Sequence, residues 1–99
     1  MSQLRRDARQ RFRRETGVEV REVGREFFVV APGDGPIYQL DATASAAWRA
    51  LSEPKSLDEL TALFQAAFPD APRRRIATDI HKLVAFLRKR RLVVTTDRK

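Results

Sequence analysis

Few residues in this 99-residue chain have the types and spacing that bond-breaking chemistry requires. There is one histidine, His81, so an imidazole base has no second imidazole with which to share a metal. On a helical wheel His81 falls off the apolar stripe of Ile76, Ile80, Leu83 and Leu87, which places it on a surface. The four serines (Ser2, Ser45, Ser52, Ser56) lie in a tail, inside a helical pattern, at a helix end and in a helix cap. None sits at a strand-to-helix elbow that would bare a nucleophile. The lack of cysteine removes thiolate ligands, a thiol nucleophile and a disulfide framework together. Gly33-Asp34-Gly35 has no lysine or helix start after it, so it reads as a hairpin turn rather than a phosphate cradle. No spacing points at a carboxylate dyad. The expectation is a protein that is not an enzyme and holds no metal or cofactor.

Binding chemistry is better represented. The net charge is +7, unevenly spread. Residues 1–25 hold eight arginines against four acids, residues 26–71 two cations against seven acids, and residues 72–99 ten cations against Asp79 and Asp97. An acidic middle therefore lies between two basic ends, and an anionic partner meets the ends first. Nucleic acid, an acidic peptide and an acidic protein surface all fit that pattern. Arg73-Arg74-Arg75 stands at the start of a helical stretch, where each exposed cation opposes the helix dipole by roughly 0.3–1 kcal/mol. Such a run reads either as a seat for an anion or as a solubilising cluster. Arg88-Lys89-Arg90-Arg91 closes the same stretch and agrees with the dipole.

The elements that must position these groups follow from periodicity. A chain of this length makes one domain, and 42% hydrophobic with 33% charged residues describes a globular one. The longest apolar runs are five residues, against about 20 for a membrane helix, and the N-terminus has no apolar signal core. A cytoplasmic protein without a membrane partner is expected. Residues 1–16 read as a basic, mobile tail with a weak helical stripe at Leu4, Ala8 and Phe12. Asp7 and Glu15 count against its being a transit peptide. Residues 17–96 form the domain, and 97–99 a second tail.

Within the domain, Val18 and Val20 alternate with charged residues as in a half-buried strand. Residues 26–30 are apolar on both faces, as in a central strand covered on each side. Pro32 to Pro36 is a loop. Ile37-Tyr38-Gln39-Leu40 is a third strand opened by a proline, which places it at a sheet edge. Short connections make these three an antiparallel meander. Three helices follow. The first carries Ala44, Ala47, Trp48 and Leu51 on one face, with Asp41 or Thr43 as its cap. The second opens with the capping box Ser56-Leu57-Asp58-Glu59 and buries Leu57, Leu60, Phe64 and Ala67, with Leu63 on the flank. The third buries Ile76, Ile80, Leu83, Val84 and Leu87, and Leu92-Val93-Val94 leaves it as a short extended tail. The order is βββααα, an α+β fold. Trp48 reads as a core anchor, and Tyr38 as a core residue able to touch a ligand. Phe86 lies roughly 100° from the core direction and is either a packing flank or the floor of a groove.

The stretch Ile37-Tyr38-Gln39-Leu40-Asp41-Ala42-Thr43-Ala44, with Trp48 and Leu51, resembles the PqqD-like family of peptide chaperones, also called RiPP recognition elements. Ser56 to Leu60, Phe64…Phe68-Pro69 and Leu83…Leu87…Leu92-Val93 extend the likeness over about residues 18–95. Arg91 departs from it, standing where relatives often place a glycine after the last helix. The resemblance implies a winged-helix-like fold that binds the leader of a ribosomally made precursor peptide. The leader is added as a strand beside the third strand, packed on the third helix, and presented to a modifying enzyme such as a radical-SAM protein, a cyclase or a leader protease. Under that reading the edge amides of Ile37, Tyr38, Gln39 and Leu40 set the register. Leu83 and Phe86 supply the apolar wall, with Asp79 beside them, and Arg75, Lys82 and Arg90 meet acidic leader residues. Which flank of the helix faces the strand stays open.

The rival reading is a winged-helix protein that binds nucleic acid, with Arg73 to Arg75 and Lys82 at the groove. Against it, Pro69-Asp70-Ala71-Pro72 is longer and stiffer than the usual helix-turn-helix turn, and Asp58 and Glu59 would approach phosphate.

Overall fold

The computed structural model describes residues 10–96. It is an α+β fold of two three-stranded antiparallel sheets and three helices. The first sheet is the expected meander, with β2 (Glu19–Val23), β3 (Glu26–Val30) and β4 (Ile37–Leu40) in that order. The helices are α1 (Ala42–Ala50), α2 (Leu57–Ala67) and α3 (Arg73–Lys89).

The second sheet departs from the expectation. Its middle strand is β1 (Arg11–Arg14), flanked by β5 (Lys55–Ser56) and β6 (Val93–Thr95). Residues 11–14 are therefore not a mobile tail. Phe12, 5% exposed, inserts into the core between Arg11 and Arg13, so the local period is two rather than helical. The rest of the expected helical stripe, at Leu4 and Ala8, and the closing tail at 97–99 lie outside the described residues. Residues 93–95, expected as a free extended tail, pair with β1 from Phe12↔Thr95 to Arg14↔Val93. Alternation of helix, short strand, two helices and strand gives the winged-helix-like half, whose small sheet is completed by the N-terminal β1.

Two other expectations change. β2 is exposed along its whole length rather than half-buried, because little beyond its partner strand covers it. β3 is central, but only Phe27 and Val29 are buried, while Glu26, Phe28 and Val30 on the other face are half-exposed. Among the described residues the helices thus cover one face of the meander and leave its outer face open. Ala67, expected in the core, is exposed at the last turn of α2.

The helix starts follow their local chemistry. The Ala44 amide donates to Asp41 Oδ1 at 2.8 Å, making Asp41 the N-cap of α1. In the capping box, the Glu59 amide donates to Ser56 Oγ at 3.1 Å and the Ser56 amide donates to Glu59 Oε1 at 2.9 Å. That backbone hydrogen bond holds the Glu59 carboxyl below the usual carboxylate range, more than partial burial raises it, and nearby Arg11 and Lys55 add to the lowering. α3 ends in a Schellman turn, with Leu92 N–H donating to the Leu87 carbonyl and Arg91 N–H to the Arg88 carbonyl, both at 2.9 Å. Arg91 takes φ 64°, the left-handed conformation that favours glycine. The chain turns there as a glycine would let it turn.

Trp48, Leu60, Ile80, Leu87 and Leu92 are the centre of one core shared by all three helices, both sheets and the β6 approach. Arg14 stacks on Trp48 with its guanidinium carbon 4.7 Å from the ring centroid, and its Nε donates to the Trp48 carbonyl at 3.1 Å. Partial burial there lowers the Arg14 pKa from its ordinary value. The contact fastens β1 to the C-terminal end of α1, where a cation also suits the dipole.

Candidate binding groove

Among the described residues β4 pairs with β3 on one side and with no strand on the other, so it is an edge of its sheet. Its register decides which backbone groups are free. The Ala31 amide donates to the Pro36 carbonyl at 3.2 Å, and the ladder continues as Val30↔Ile37, Val29↔Tyr38, Phe28↔Gln39 and Phe27↔Leu40. Hydrogen-bonded and non-bonded pairs alternate in an antiparallel ladder. Counting by twos from Ala31–Pro36, the Tyr38 and Leu40 groups point to β3, and the Ile37 and Gln39 N–H and C=O groups point outward. Pro36, lacking an amide, stands in the bonded set and accepts with its carbonyl. The loop before it is tight: a Cβ on Gly35 would come within 2.9 Å of the Ala31 Cβ, so that position needs a glycine.

Side chains alternate in the opposite sense. Tyr38 and Leu40 face the core, Leu40 fully buried, while Gln39 and the 67%-exposed Ile37 face solvent on the other side of the sheet. Gln39 Nε2 donates to Glu26 Oε1 across β3 at 2.5 Å.

Beside this edge runs α3. A cleft of about 270 Å³ lies between them, lined by Gln39, Leu40, Asp41, Thr43, Ala44, Leu83 and Phe86. Leu83 is half-buried and Phe86 is 37% exposed, so Phe86 is a wall of the groove and not a core residue. The Arg90 guanidinium carbon sits 3.8 Å from the Phe86 ring centroid and 5.7 Å from that of Tyr38. A cation thus bridges the two aromatic rings at one end of the groove.

The residues singled out from the sequence divide clearly. Gln39, Leu40, Leu83 and Phe86 meet in one cleft, and Tyr38 joins them through Arg90. Arg75 and Asp79 line a separate pocket further along α3, which shares Leu83 and Thr43 with the first. Lys82 is exposed and lines neither, and Ile37 contributes to the edge through its backbone while its side chain points to the outer face. Arg73, Arg74, Arg75, Lys82 and Arg90 form no ion pair among the described residues. The α3 wall is therefore basic, with Asp79 as its acid.

Sequence reasoning missed Asp41, Thr43 and Ala44, which cap and open α1 and also line the cleft. The signal lay in their position directly after an edge strand, where the chain must turn alongside it. His81 is exposed on the far side of α3, in a depression with Phe12, Val84 and Arg88. No group of residues among those described is arranged to hold a metal ion, and no described helix is long and apolar enough to cross a membrane.

The model of the family described as coenzyme PQQ synthesis protein D (PqqD) matches residues 26–93, from β3 to the start of β6. No curated protein and no solved structure matches the chain.

Proposed function

The chain belongs to the PqqD family, and on that premise we propose that it binds the leader of a ribosomally made precursor peptide as a strand added to β4. The observation that carries this reading is the juxtaposition of an open strand edge with the Leu83–Phe86–Arg90 wall of α3. Membership of the family makes precursor-peptide binding in natural-product biosynthesis the general role. The edge and the groove beside it support one physical route to that binding.

In strand addition, main-chain hydrogen bonds set register and affinity, and flanking pockets set sequence preference. Ile37 and Gln39 each offer one amide and one carbonyl outward, enough for two hydrogen-bonded pairs with an incoming strand. At about 0.5–1.5 kcal/mol net for each bond, four give roughly 2–6 kcal/mol before the cost of ordering the peptide. A micromolar complex needs about 8 kcal/mol. Apolar contact with Leu83 and Phe86 must therefore supply the rest, with Arg90 and Arg75 attracting acidic leader residues. The protein's part is non-catalytic: it holds an extended leader in fixed register, so that the modifiable core segment projects toward a modifying enzyme. That enzyme is a radical-SAM protein, a cyclase or a leader protease.

A fluorescent leader peptide, taken from the short precursor encoded beside this protein, tests the reading by anisotropy at about 50 and 300 mM salt. Strand addition with apolar anchors predicts low-micromolar or tighter binding that changes only a few-fold. Weak peptide binding, with affinity for random duplex DNA that falls by orders of magnitude over the same range, would overturn it in favour of nucleic acid.

A further inference from the structure

We infer that the groove continues past the end of β4 into a second pocket, which takes a bulky apolar side chain next to a carboxylate, so that the partner peptide carries two anchors. This rests on the strand-addition reading and extends it beyond the edge of the sheet. The pocket, about 730 Å³, lies where the end of α2 meets the first half of α3. Its size is within the range of cavities that enclose small ligands. Phe64, Ile76, Ile80 and Leu83 make an apolar floor, and Phe68 stands at the rim, 56% exposed, with its ring centroid 6.4 Å from that of Phe64.

Three observations say what fills it. The first is continuity: Thr43 and Leu83 line both this pocket and the cleft beside β4, so a peptide leaving the strand edge past Leu40 runs directly into it. The second is charge. Arg75 is on the rim and Arg73 and Arg74 precede it, all without an ion pair among the described residues, at the positive end of the α3 dipole. The lining itself holds Arg75 with Asp70 and Asp79, and Arg73 and Arg74 just outside it bring the neighbourhood to one positive charge, so a carboxylate beside the apolar anchor would meet the arginine end of the rim. The third is preorganisation. Gln65 Nε2 donates to the Phe68 carbonyl at 3.2 Å and to the Ala71 carbonyl at 2.9 Å, pinning a turn already stiffened by Pro69 and Pro72. A wall fixed in advance costs little to order on binding.

Helix geometry gives the spacing. Asp79 and Arg75 lie seven and eleven residues before Phe86, about 10 and 16 Å along the α3 axis. An extended peptide covers that in about three to five residues. The recognised segment therefore has one apolar residue at Phe86 and a second three to five positions away, on the side that passes Leu40, with an acid beside it.

The test uses the full chain and a displayed library of random 15-residue peptides, with every enriched binder then measured against Gln39→Pro. Ala67→Trp fills the rim of the second pocket from an exposed position, Phe68→Ala removes the rim aromatic, and Ala62→Trp on exposed α2 surface is the control. Melting curves establish that each variant is folded. The inference predicts enriched peptides with two apolar residues at that spacing and an acidic neighbour, weakened tenfold or more by Ala67→Trp and several-fold by Phe68→Ala. Peptides that depend on Gln39 but carry one anchor, and bind Ala67→Trp as well as the control, would overturn the second pocket and leave strand addition standing. Enrichment of peptides indifferent to Gln39→Pro would overturn strand addition itself, and the second pocket with it.

Discussion

Replacing Gln39 by proline separates the edge of β4 from everything around it. The ladder register puts the Gln39 amide outward, so proline there removes no bond to β3, and the preceding Tyr38 is already in the extended conformation a proline requires. Loss of the side-chain bond to Glu26 removes an exposed interaction of roughly a few tenths of a kcal/mol, and Gln39→Ala controls for it. For an added strand the consequence is larger. One hydrogen bond worth about 1 kcal/mol disappears, and a peptide carbonyl is left facing a ring with no donor, a desolvation cost of about 1–3 kcal/mol. The sum, roughly 2–4 kcal/mol, corresponds to a 30- to 900-fold rise in Kd. Tyr38→Pro is the internal contrast: its amide points to β3, so proline breaks the ladder and lowers stability by about 3 kcal/mol or more. Isothermal titration with the leader peptide, beside urea melts of all three variants, reads both quantities. Equal leader affinity for Gln39→Pro and Gln39→Ala, with both proteins folded, would refute the assignment of the outward amide.

Four more perturbations read other parts of the same geometry. Phe86→Ala should cost about 1–2 kcal/mol of stability, as expected for a ring that is 37% exposed, and weaken leader binding tenfold or more; a loss of 3–5 kcal/mol in urea melts would return Phe86 to the core. Phe12→Ala should cost about 3–4 kcal/mol, whereas a mobile tail would lose nothing on chemical denaturation. The Glu59 carboxyl has a lowered folded-state pKa, so its stabilising effect is present above the ordinary carboxylate range and is lost as pH falls through the lowered value. Glu59→Gln should flatten the melting temperature across that acidic window, and an unchanged slope would contradict the assignment. Arg91→Gly should raise stability by up to about 1 kcal/mol by relieving the left-handed residue, measured as a shift in the urea midpoint.

Legibility in the sequence followed how local each signal was. The capping box, the α1 cap down to a choice of Asp41 or Thr43, the Pro36-led edge strand and the apolar stripe of α3 are all encoded within a few residues, and all were readable. The placement of Phe86 off that stripe was readable as an angle, but not which element it would meet. β1 was illegible because Arg11-Phe12-Arg13-Arg14 has one apolar residue in four, and its partners β5 and β6 lie about 40 and about 80 residues away. Phe12 is a core residue because those partners and α3 enclose it, a fact that no window around residue 12 contains. Exposure of β2 was hidden for the opposite reason: Val18 and Val20 carry a strand's period-two pattern, yet the helices stop short of covering Val20. The pocket at Arg75 and Asp79 needed the fold as well, since its floor comes from two helices and its rim from the turn between them.

Amide hydrogen exchange on the backbone of β4, with and without a saturating leader peptide, tests the central claim most directly. Tyr38 and Leu40, already bonded toward β3, should be protected in the free protein and change little. The Ile37 and Gln39 amides should exchange freely until peptide is added and then slow by tenfold or more, with chemical-shift changes on Leu83, Phe86 and Arg90. Saturable peptide binding that leaves the Ile37 and Gln39 amides exchanging as before would contradict strand addition on this edge.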